Sequence, residues 1–64
     1  MKNVGAVIRA ARRKRKLSLR EAARLSEVSA ATLSKLEAGA VNPTLATMQA
    51  LTRVLGIKPA EWFE

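Results

Sequence analysis

The stretch from Ser18 to Gly39 restricts the fold of this chain more than any other. Ser18 followed three residues later by Glu21 is a capping-box pattern. The serine oxygen and the glutamate carboxylate each satisfy a backbone N–H that a helix start leaves without a partner, so a helix begins here and runs to about Leu25. Ser29 is a good N-cap for another helix. Gly39 stands where that helix can end in the left-handed conformation glycine tolerates. Only Ser26-Glu27-Val28 lies between the two. Helices of about ten residues or fewer are marginal alone in water, so this pair must pack on each other and on the rest of the chain. Ala23 falls where the two would approach most closely, while Leu33 and Leu36 would anchor the later helix on a core.

The flanking sequence supplies more helices. Val4, Val7, Ile8 and Ala11 recur at helical spacing, which predicts an amphipathic helix over about 4–15 with Arg9, Arg13 and Lys14 on its charged side. After the loop Ala40-Val41-Asn42-Pro43, a helix capped by Asn42 with Pro43, or by Thr44, should end at Gly56 and turn Leu45, Met48, Leu51 and Leu55 inward. Pro59 can open a last helical turn that carries Trp62 and Phe63 inward; the other use for this pair is an exposed dimerisation edge. No strand signal or internal repeat occurs. The expectation is an all-α, compact five-helix bundle forming one domain over 1–64, with the short helix pair at about 19–38.

Charge is distributed unevenly over this framework. Residues 1–24 hold nine of the twelve Lys and Arg against Glu21 alone, a net charge of +8, whereas residues 25–64 sum to −1 and bring the total to +7. A basic region of this kind attracts phosphate polymers or anionic surfaces. No apolar run approaches the ~18 residues of a membrane span, so no membrane partner and a cytoplasmic, nucleoid-associated location are expected. The chain has no His, Cys, Asp or Tyr, and its carboxylates are Glu21, Glu27, Glu37, Glu61 and Glu64. That removes the common metal ligands and most pairings of nucleophile and base. The expectation is no catalytic residue, no metal, no cofactor and no small-molecule ligand.

Several residues taken together resemble the phage repressor and Cro family of helix-turn-helix DNA-binding domains, the xenobiotic-response-element family. They are Ile8-Arg9 with Arg12, Leu17-Ser18, Glu21-Ala22-Ala23, Val28-Ser29, Leu33-Ser34, Leu36-Glu37 with Gly39, and Asn42-Pro43 before the Leu-rich helix. The resemblance covers nearly the whole chain and implies a bundle of the lambda-repressor-like type. It also implies that Arg12 and Glu37 form a structural ion pair rather than touching DNA. Two positions depart from the family pattern. Leu19 stands where a glutamine usually helps hold phosphate, and Glu27 stands where a turn glycine usually adopts positive φ.

With that family geometry, residues 29–38 would form the recognition helix in the major groove of double-stranded DNA, with Ala31, Ser34, Lys35 and Ala38 on its outward stripe. Ser29, Ala30, Ala31, Ser34 and Lys35 are the candidates for base contact. Alanine methyls suit thymine C5-methyl groups, hydroxyls suit bases or phosphate, and Lys35 suits guanine O6 and N7. Arg9, Arg13, Lys14, Arg20, Arg24, Thr32 and Asn42 are the candidates for phosphate. The function expected is sequence-specific DNA binding, as a transcriptional regulator or an engineered DNA-binding module, with a homodimer on DNA left open. The alternative is a non-enzymatic protein-interaction module, antitoxin-like or adaptor, using the basic N-terminal face.

Overall fold

A computed structural model describes residues 3–62. Four α-helices and one 3₁₀ turn follow in chain order, and no strand occurs among the described residues. Helix α1 (Val4–Lys14) starts at Asn3, whose side-chain oxygen accepts the Ala6 N–H at 3.1 Å. Its last turn carries Arg12, Arg13 and Lys14, which complement the negative end of the helix dipole. Helix α2 (Leu19–Leu25) is opened by the complete capping box: Ser18 Oγ accepts the Glu21 N–H and Glu21 Oε1 accepts the Ser18 N–H, both at 3.1 Å. Ser29 Oγ opens α3 (Ala30–Glu37) by accepting the Thr32 N–H at 3.0 Å. Beyond α3, the Gly39 N–H donates to Leu36 O and the Ala40 N–H to Lys35 O, a left-handed exit with φ +77° at Gly39. Thr44 caps α4 (Leu45–Leu55), and Gly56 closes it at φ +67°.

The core draws on every element. Ile8 of α1, Leu33 of α3 and Leu51 of α4 are wholly buried, and Ala22 and Ala23 let α2 lie close to its neighbours. Trp62 is 3% exposed, and its indole N–H donates to Thr52 Oγ1 at 2.8 Å. The aromatic ring is therefore core with its polar edge satisfied, not an exposed edge. Phe63 lies outside the described residues.

Two expectations need correction. The anticipated fifth helix is a 3₁₀ turn, Pro59–Trp62, so the bundle has four α-helices. Only three residues separate Lys58 from the buried Trp62, and the Glu61 N–H closes back on Lys58 O three residues earlier, at 2.8 Å. Leu45, expected on the inner face of α4, is 72% exposed. It is the first residue of that helix and lies ahead of the turn at which α4 meets the core. Helix α1, expected over about 4–15, ends at Lys14 with Arg15 as its cap, and Lys16 turns away at φ +57°.

Gly5 fixes how α1 meets α3. A Cβ built there would lie 2.5 Å from the Glu37 carbonyl oxygen and 2.7 Å from that of Leu36. The helix backbone thus touches the last carbonyls of α3 directly, a distance that only glycine permits.

Candidate nucleic-acid interface

Helix α3 has two unlike sides. Leu33, Leu36 and Glu37 are buried, whereas Ala31, Ser34, Lys35 and the cap residue Ala38 are exposed. The exposed side carries no large apolar group, so its backbone can come near another surface.

The buried side is held by more than apolar packing. Arg12 Nε donates to Glu37 Oε2 at 2.7 Å and Arg12 Nη2 donates to Glu37 Oε1 at 3.0 Å, a bidentate pair. Arg12 Nη1 donates to Leu17 O at 3.0 Å, so one guanidinium ties together α1, the connector to α2 and the end of α3. The Glu37 side chain is 3% exposed and that of Arg12 15%. Its hydrogen bonds to Glu37 raise the Arg12 pKa above the ordinary value against the opposing effect of burial, and the guanidinium stays charged. Arg9 Nε approaches Glu37 Oε1 at 3.4 Å with half its side chain exposed, placing a second cation beside the same carboxylate.

The turn before α3 is tight. The Val28 N–H donates to Ala23 O at 3.0 Å, and Glu27 adopts φ +58°, the left-handed region where the family pattern has glycine. Ser26 Oγ is buried there without a hydrogen-bond partner. Leu19, at the position of the family's glutamine, packs partly buried against the core.

Among the candidates for base contact, Ser29, Ala31, Ser34 and Lys35 are exposed, while Ala30 is half-buried and packs on the core. Ser29 Oγ also donates to Thr32 Oγ1 at 2.8 Å, so those two hydroxyls share one bond. Every phosphate candidate is exposed: Arg9, Arg13 and Lys14 on α1, Arg20 and Arg24 on α2, Thr32 on α3 and Asn42 in the loop before α4. Arg15, inside the same basic run, turns elsewhere. Its Nε donates to Leu55 O at 3.0 Å and its guanidinium lies over Gly56, closing the end of α4. Nothing local distinguishes Arg15 from the cations beside it, since its partner lies forty residues away. The Gly5 contact had one sequence signal, a lone glycine inside a helical pattern. Among the described residues no three carboxylates gather into a possible metal site, and no helix is long and apolar enough to cross a membrane.

A charged scaffold that holds one short helix by its buried face and offers the other is the arrangement of a DNA-binding helix-turn-helix. A family profile described as Helix-turn-helix matches residues 8–62, and the chain belongs to that family, in its repressor and Cro-like branch. The family points to a DNA-binding regulator of transcription and is typically non-enzymatic. No curated protein and no solved structure matches the chain.

Proposed function

We propose that this chain is a single sequence-specific binding unit for double-stranded DNA, acting as a transcriptional regulator with α3 in the major groove. The observation that carries the proposal is the two-sidedness of α3: its inner side is locked by Leu33, Leu36 and the Arg12–Glu37 pair, and its outer side is small, polar and exposed. Lys35 supplies the strongest base preference by donating to guanine O6 and N7, one turn beyond Ala31. Arg13, Lys14, Arg20 and Arg24 grip phosphates on either side of the groove. Thr32 and Asn42 add hydrogen bonds to the backbone, and the outer nitrogens of Arg9 do the same while its Nε faces Glu37.

Selection from a random duplex library tests this reading. The expected result is one enriched half-site, or two half-sites about 34 Å apart if the chain binds as a dimer. Recovery of duplexes with no common sequence would overturn specific recognition. Salt-sensitive capture of an acidic protein, with no protection of any duplex, would favour the protein-interaction alternative.

A further inference from the structure

We infer that the leading turn of α3 discriminates bases by their C5-methyl groups, which makes Ala31 a specificity-determining residue and lets 5-methylcytosine stand in for thymine beneath it. This inference rests on the DNA-binding reading above and adds the chemistry of the base that the helix tip accepts.

Ser29 Oγ accepts the Thr32 N–H at 3.0 Å and donates to Thr32 Oγ1 at 2.8 Å, so its proton is spent inside the cap. Thr32 Oγ1 receives that bond. Ala30 is half-buried against the core. The two hydroxyls are thus engaged with each other and with the cap, and the exposed side chain of the first turn that takes no part in those bonds is the methyl of Ala31. A methyl neither donates nor accepts a hydrogen bond, so the base feature it can favour is another apolar group. In the major groove that group is the thymine C5-methyl. Cytosine methylated at C5 puts the same group at the same place on the ring, so the preference extends to it.

Rigidity makes the discrimination effective. The direct backbone contact at Gly5 and the bidentate Arg12–Glu37 pair fix α3 against α1, so α3 cannot shift within the bundle to recover a lost methyl contact. Lys35 lies four residues on, on the same face as Ala31. The expected element is thus a C5-methylated pyrimidine under Ala31 with a guanine within reach of Lys35.

The test starts from the duplex recovered by selection. Each thymine is replaced in turn by deoxyuridine, and the dissociation constant is measured by fluorescence anisotropy for the wild type and Ala31→Gly. The pair under Ala31 is also changed to C·G with and without the C5-methyl. Removing one methyl contact should weaken wild-type binding about fourfold at that thymine, and methylating the cytosine should strengthen binding by a similar factor. In Ala31→Gly the thymine-to-uracil ratio at that position should fall to about one while ratios elsewhere persist. Because glycine also weakens the helix, the ratio within the variant is the readout, and Ala31→Ser serves if the glycine variant does not fold. Equal binding of thymine and uracil at every position, or a ratio unchanged in the variant, would overturn the inference. Failure to bind any duplex would instead overturn the DNA-binding reading beneath it.

Discussion

Arg12 places its guanidinium on three acceptors, two on Glu37 and one on Leu17, so the Glu37 carboxylate is part of a joint between α1, the connector and α3. Truncating Glu37 to alanine leaves a mostly buried cation without its carboxylate, and Glu37→Ala should destabilise by roughly 2 to 4 kcal/mol in urea denaturation. An unchanged midpoint would remove the fastening role. Glu21 tests a weaker effect. The Ser18 N–H, and after it the Ser18 hydroxyl, hold its carboxyl below the ordinary value of 4.5. A carboxyl depressed on folding stabilises fully above its unfolded pKa and loses that contribution as pH falls through the folded one. The stability gap between wild type and Glu21→Gln should therefore close on acidification below about pH 4, measured by denaturation at a series of pH values. Glu27, held at φ +58°, gives the opposite sign. Glu27→Gly should stabilise by about 1 kcal/mol, raising the melting temperature by roughly 4 to 8 °C in a domain this small.

The helix starts were legible because their signals are local. Ser18 with Glu21 and Ser29 with Thr32 act within three residues, and Gly39 and Gly56 mark the exits from α3 and α4. Apart from the Arg12–Glu37 pair, which the family resemblance implied, the contacts between elements were not legible. Gly5 against the Glu37 carbonyl and Arg15 against the Leu55 carbonyl join residues far apart in the chain, and neither residue type says which partner it will meet. Pro59 signalled a helical turn, but not that it would close three residues back as 3₁₀. Leu45 matched the inward periodicity of α4, yet position at the helix start outweighed it. Gly5→Ala checks the importance of the α1–α3 crossing. The added methyl must push the helices apart, costing about 1 to 3 kcal/mol, and should weaken DNA binding even below the melting transition because α3 moves. Thermal melting and anisotropy on the same variant separate the two effects.

Over the molecule as a whole, charge is distributed asymmetrically. The first twenty-four residues form a cation of +8, and the structure leaves Arg13, Lys14, Arg20 and Arg24 exposed without an internal acceptor while Arg12 and Arg15, and in part Arg9, engage acceptors within the fold. Composition alone counts all seven alike, and only packing separates the cations that hold the fold from those available to a partner. Each phosphate contact steepens the fall of log affinity with log salt by about 0.9, so Arg20→Ala should weaken binding to all duplexes alike and reduce the slope by about that amount. Lys35→Ala should behave differently. Its central test is selection from a random duplex library with the wild type and this variant in parallel. The expected result is a wild-type motif that loses its preference at one guanine in the variant, a loss of about 1 to 3 kcal/mol of discrimination there, with the rest of the motif kept. Identical motifs from the two proteins, or no motif from either, would contradict it.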